Sequence, residues 1–187
     1  KTYNGEALLS RTPVADVGRN IVGFSDENSR VIAGTVDAPG GPLRIVNGYF
    51  VNGQAPGTDK FDYKMSWLRG LRDWLREELA AHPRLVLLGD FNIAPEDRDS
   101  YDPVGLAESI HHTTEERDHF KALLGLGLHD AFRLFEQPEK SYSWWDYRAG
   151  DFHQGRGMRI DLLMCSASVA KRAEWCVIDR NARKGKQ

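Results

Sequence analysis

The chain is poor in cysteine. It holds two, Cys165 and Cys176, with no paired spacing that suggests zinc, which favours a reduced, cytoplasmic setting. Long hydrophobic runs are missing too. The longest, such as Leu85–Leu88, are strand-sized, so no membrane span is expected, and the opening "KTYNGEALLSR" lacks the apolar core of a secretory signal. Nor is there an excess of positive charge. Against 27 Asp and Glu stand 25 Lys and Arg, a net charge of −2, which argues against a generic nucleic-acid binder unless the basic charge is local or a metal supplies it. Internal repeats and low-complexity tracts are absent. What remains is an ordinary globular composition, 41% hydrophobic and 28% charged over 187 residues, enough for one domain with a sizeable core. Its basic residues are uneven. Arg180, Arg183, Lys184 and Lys186 crowd the last eight residues, and Arg148, Arg156 and Arg159 share one glycine-containing segment.

Short β-like runs occur at Ala7–Ser10, Val31–Val36, Leu43–Val51, Leu85–Gly89 and Met158–Cys165, with a weaker one at Glu174–Ile178. "DAPGGP" (Asp37–Pro42) between two of them predicts a hairpin turn. A helix is expected over Asp59–Ala81, where Phe61, Met65, Leu68, Leu71, Leu75 and Leu79 recur at helical spacing and Thr58 or Asp59 can cap the start. A second should begin at Thr113-Thr114-Glu115-Glu116, a capping-box pattern, bury Phe120, Leu123 and Leu124, and end at Gly125 and Gly127. Strand pairs mixed with helices indicate an α/β or α+β domain. The aperiodic stretches Ile93–Thr113 and Pro138–Gly157 are rich in polar and aromatic residues, and loops of that length in a compact domain are usually functional or disordered.

The chemistry gathers at strand ends. In "RLVLLGDFNIAPEDRD" (Arg84–Asp99) an apolar run stops at Gly89, then Asp90 and Asn92 fall on one face while Phe91 turns to the core. An acid there can move a proton or hold a cation, and an amide can donate to a phosphate oxygen. Alternatively, the pair only caps the turn that follows. "MRIDLLMC" places Asp161 inside another apolar run, where a buried charge would need a partner or a metal. "LRIVNGYFVNGQ" ends a third run in Asn47, Tyr49, Asn52 and Gln54. Three polar strand ends read as one rim of one sheet sandwich, facing a site.

With these blocks in order, the chain resembles the bacterial exonuclease III branch of the endonuclease/exonuclease/phosphatase superfamily. The matching stretches are "YNGEALLSR", "RIVNGYFVNGQ", "KFDYKMSWL", "LLGDFNIAPEDRDSYDP", "ERDHFKALLGLGLHDAFR" and "SYSWWDYRAGDFHQGRGMRIDLLMCS", with the closing basic run. "GDFN" is shared across the superfamily, whereas "SWWDYR" followed by "GRGMRID" is similar to the DNA-repair branch. The resemblance implies a four-layer α/β sandwich of two mixed sheets flanked by helices. It also implies cleavage of DNA at abasic sites, with 3′-exonuclease and 3′-repair activity dependent on Mg²⁺ or Mn²⁺. The implied partner is double-stranded DNA with abasic sites or 3′ ends, bound by a monomer with no membrane. Carried over, Tyr49 matches an active-site tyrosine, Asp90 an acid that activates water or protonates the leaving oxygen and a possible metal ligand, and Asn92 an amide that holds the phosphate. Asp161 matches an acid that orients a histidine, Trp144 an aromatic beside the abasic site, and Asn52 a DNA contact. Arg148 and Arg156 are expected to contact phosphate alongside them.

Two departures are Val51, where many relatives carry Pro, and Glu6, where an aliphatic residue is usual. The family's N-terminal Asn strand, its metal-binding Glu and its terminal Ser-Asp-His have no counterpart in residues 1–187. That stretch is therefore expected to be a single domain truncated at both ends, inactive or nearly so by itself, with exposed apolar faces and strand edges. Its six histidines do not supply the missing one, and His111, His112 and His119 read as solvated surface rather than a zinc site. The competing functions are a superfamily phosphodiesterase acting on a lipid or small molecule and a non-catalytic DNA-binding module. The aromatic and arginine-rich segment 142–159 argues against the lipid reading.

Overall fold

The computed structural model describes residues 5–148 and 150–183. Lys184 and Lys186 of the basic run lie outside the described residues. In chain order the elements are β1 (Ala15–Arg19), β2 (Val31–Ala38), β3 (Gly41–Tyr49), α1 (Asp59–Ala81), β4 (Leu85–Asp90), α2 (Thr114–Gly125), β5 (Leu128–Asp130), β6 (Trp144–Trp145), α3 (Asp151–Gln154), β7 (Gly157–Met158), β8 (Asp161–Ser166) and α4 (Ala167–Ala170). They form a mixed α/β architecture: a six-stranded sheet of order β1-β2-β3-β4-β8-β5 and a separate β6-β7 pair. Among the described strands only β3 and β4 run parallel, joined across α1, and their other neighbours are antiparallel. The second sheet of the expected sandwich is, among the described residues, this two-stranded pair. No described helix is long and apolar enough to cross a membrane.

The apolar stripe on α1 explains which sheet face is covered. Phe61, Met65, Leu68, Leu71 and Leu75 are buried and pack on Val46, Leu85, Leu87, Leu162 and Met164, with Phe120 and Leu123 of α2 completing the cluster. Burying one such side chain contributes roughly 1.5–3 kcal/mol before entropy is subtracted. Thr58 caps α1 by accepting the Phe61 N–H at 3.3 Å, and Asp59 and Asp62 complement the helix dipole. Thr113 and Glu116 form the expected capping box on α2. The alternate positions face the other way, and Ile32, Ile45, Val86 and Leu88 are only half-buried there while Leu163 is exposed. One face of the sheet is thus closed and the other half-open.

Three expected strands differ. Residues 7–10 and 174–178 hold no ladder. The run 158–165 breaks in two because Arg159 turns inward, its N–H bonding the Asp99 carbonyl at 2.8 Å and its guanidinium pairing with Asp99 and Asp130. β8 starts only after that clamp.

Candidate functional site

Register assembles the site. Tyr49 on β3 lies opposite Asp90 on β4 in the parallel ladder, and Asp90 lies opposite Asp161 on β8 in the antiparallel one. Residues paired in this way project to the same face. Tyr49, Asp90 and Asp161 therefore form a row across three neighbouring strands, at the end of the half-open face. Gly89 makes the row possible. Its φ is +135°, and a Cβ there would lie 2.0 Å from the Gly48 carbonyl oxygen, so only glycine lets the two strand ends approach.

Asp90 is half-buried, and burial pushes its carboxyl up to about 6, with the Asp161 charge adding to the rise and the Asn92 backbone N–H opposing it. An acid titrating near neutrality can both accept and return a proton. Asp161 is exposed rather than buried, a correction to the reading of its apolar run. Its register puts it on the open face, where solvent meets the charge.

Asp90 also caps the turn, so the two readings of "GDFN" coincide. Its Oδ1 accepts the Asn92 N–H at 2.9 Å and its Oδ2 accepts the Asn92 amide at 3.2 Å. Asn92 adopts a left-handed backbone (φ 51°), a conformation that asparagine tolerates. It is buried, and its amide nitrogen donates to the Phe50 carbonyl as well as to Asp90. Both amide hydrogens are committed inward, so Asn92 orients Asp90 rather than offering a free donor. Asn52 donates to the Asn92 Oδ1 at 3.1 Å and lines a hollow of about 540 Å³ with Arg30 and Lys60. The Arg30 guanidinium lies 5.6 Å from the Tyr49 ring centroid, a cation–π distance.

The aromatic segment divides as adjacent residues on a strand must. Trp145 is buried, edge-on to Phe152 at 5.0 Å, while Trp144 is half-buried and packs on Ala94, Met158 and Ile160. Arg148 is exposed over the Tyr147 ring at 5.5 Å. Arg156 is engaged in its own loop, with Nε 2.9 Å from Asp151 and a further bond to Gln154.

Sequence reasoning missed several neighbours. Glu6 reaches the Asn47 amide at 2.6 Å and its charge raises Asp90 further. His111 and His112 are not solvated surface. The His111 Nδ1 donates to the Asn92 carbonyl at 2.7 Å and the His112 Nε2 meets the Ser100 hydroxyl at 3.0 Å. Burial pushes His111 down to about 4, so it is neutral at physiological pH. Lys64, fully buried on α1, also reaches this turn. Its position between Phe61 and Leu68 on the apolar stripe was the signal.

No group of three or more His, Cys, Asp or Glu placed to hold a metal occurs among the described residues. Asp90 and Asp161 nonetheless form a pair of adjacent carboxylates, each raising the cost of the other's charge. Mg²⁺ typically takes one or two such oxygens and completes its shell with water and substrate phosphate. The donor chemistry fits.

A family model described as endonuclease/exonuclease/phosphatase matches residues 1–183. The chain is 30% identical to exodeoxyribonuclease III of Haemophilus influenzae, covering 92% of this chain and 68% of that protein. It is 41% identical to the 3′ phosphatase NExo from Neisseria, solved bound to a product DNA hairpin, with a TM-score of 0.82 over 87% of this chain and 62% of that one. An AP endonuclease from Archaeoglobus fulgidus superposes with a TM-score of 0.78 at 26% identity, over 85% of this chain and 61% of that one. The chain thus spans about three fifths of the length of these solved structures.

Proposed function

The chain belongs to the endonuclease/exonuclease/phosphatase family, and from that premise we propose that its protein is a metal-dependent DNA-repair phosphodiesterase, acting at abasic sites and on 3′ ends. The observation that carries the reading is the row of Tyr49, Asp90 and Asp161 on three adjacent strand ends, next to the Trp144 surface. Asp90 holds or moves the proton, either taking it from the attacking water or giving it to the leaving oxygen. Asn92 keeps both Asp90 oxygens oriented. In the metal-free site Asp161 raises the affinity of Asp90 for that proton, and Tyr49 with Arg30 lines the approach of the phosphate. Mg²⁺ or Mn²⁺, held by Asp90 with Asp161, would supply neutralisation of phosphate charge when bound. Trp144, Asn52 and Arg148 bind the duplex, with stacking worth roughly 1–3 kcal/mol per base contact. The relatives' names point the same way, toward exodeoxyribonuclease, 3′ phosphatase and AP endonuclease chemistry.

The test is a substrate panel for the full-length protein with Mg²⁺: an abasic duplex, a duplex with a plain 3′ end, and a sphingolipid. Cleavage of the two DNA substrates, lost on chelation, is expected. Turnover of the lipid with neither DNA cut would establish the competing phosphodiesterase instead.

A further inference from the structure

We infer that Lys64 is a positioning residue for this site, its buried ammonium tying the two asparagine-bearing turns into one fixed pair. The inference rests on the nuclease reading for its catalytic consequence, and on geometry alone for the tie itself.

Lys64 lies on the core-facing side of α1 and its side chain is wholly buried. The ammonium has three hydrogens, and it has three acceptors from three separate parts of the chain. These are the Asn52 carbonyl at 3.1 Å, the Asn92 carbonyl at 2.8 Å and the Glu116 carboxylate of α2. Its donor capacity is filled. Asn52 follows β3 and Asn92 follows β4, and their side chains meet at 3.1 Å. The ammonium therefore holds from behind the two backbones whose amides meet in front. The loop after Asn52 also rests on the lysine stem. A Cβ at Gly53, where φ is +87°, would lie 2.8 Å from the Lys64 Cδ.

The plainer explanation is an ion pair that fastens α1 to α2. Burying two charges is a poor way to gain stability, because their desolvation offsets the attraction and an apolar pair of similar size does as well or better. An apolar pair supplies no donor that could join the Asn52 and Asn92 carbonyls. The Asn92 carbonyl also takes the His111 N–H, but of these two donors the ammonium is the one that reaches both carbonyls. Glu116 is in turn held by the Thr113 N–H at 3.1 Å and hydroxyl at 2.8 Å. Each charge is fixed on its far side, so the ammonium has one place to be.

The test replaces the pair without leaving a lone charge, as Lys64→Met with Glu116→Gln, and reads the Asn52 and Asn92 side-chain amide signals in ¹H–¹⁵N spectra beside the thermal midpoint. The expected result is a folded protein in which both asparagine signals move away from their wild-type positions. In the full-length enzyme, kcat on an abasic duplex should then fall by about 100-fold with KM within about threefold of wild type. A folded double variant whose asparagine signals stay in place would overturn the inference. Should the double variant fail to fold, Glu116→Gln alone decides. It leaves the Lys64 nitrogen with a hydrogen for each of the two asparagine carbonyls whether or not the amine keeps its charge, so the asparagine signals should hold even as the midpoint drops, and their displacement would assign the tie to the ion pair instead. A wild-type enzyme that cuts no DNA would sink the nuclease reading, while the spectra would still decide the positioning role.

Discussion

Asp90 performs two tasks that pull in opposite directions. As a turn cap it accepts two bonds from Asn92, which favour its charge, while burial and the Asp161 carboxylate oppose that charge and prevail. A carboxyl raised from 3.8 to about 6 stabilises the fold fully below its unfolded value, and that contribution is lost as the pH rises through about 6. A rise of that size corresponds to about 3 kcal/mol at most, since solvent still reaches the group. Without metal, Asp90→Asn should therefore raise the thermal midpoint at pH 8 and leave it nearly unchanged at pH 4, while DNA cleavage by the full-length protein falls by about a thousandfold or more. A midpoint lowered at pH 8 would show that the turn needs the charge. His111 acts with the opposite sign. Held neutral by burial, with its ring pushed down to about 4, it supports the fold above its ordinary value of 6.5, and that support is lost as the pH falls through about 4. The Asp90→Asn protein should thus lose stability on acidification from pH 6.5 to 4, followed by circular dichroism.

Among the elements, the closest fit is between β3 and β4, and Gly89→Ala tests it. With a Cβ brought 2.0 Å from the Gly48 oxygen and a positive φ to maintain, denaturant unfolding should show a loss of more than about 3 kcal/mol. Trp144→Ala, on the β6–β7 pair, should behave differently. The ring is half-buried, so binding of an abasic duplex should weaken tenfold or more while the midpoint moves by a few degrees. Equal losses in both would make Trp144 ordinary packing. The elements legible in the sequence were those whose burial is periodic. The apolar stripe and the Thr58 cap set α1 and the capping box set α2, and the polar ends of β3 and β4 announced Tyr49, Asp90 and Asn92. β1 was invisible because its five residues are almost wholly exposed and interrupted by a bulge. The run through Met158 misled because a buried arginine pairs with Asp99 and Asp130, distant partners that no local pattern reveals. What Lys64 and His111 hold also lies on other elements, so the stripe position of Lys64 marked a buried charge without showing its partners.

On the scale of the whole molecule the two sheet faces differ, one sealed by α1 and α2 and the other half-open with the row of Tyr49, Asp90 and Asp161 at its end. The net charge of −2 gives no general attraction to DNA. On the proposed reading, binding has to come from the cations gathered near the row, Arg30 and Lys60 beside Asn52, and Arg148 on the Trp144 segment. A small number of phosphate contacts implies a shallow salt dependence, near 0.9 log units in affinity per log unit of salt for each contact. The most direct measurement is a ¹H–¹⁵N titration of residues 1–187 with an abasic duplex in the absence of divalent metal. Shifts are expected to concentrate at 49–54, 90–95, 143–148 and 157–161, around the strand ends. Shifts centred on the exposed sides of α1 and α2, with those four stretches unmoved, would contradict a DNA site at the strand ends.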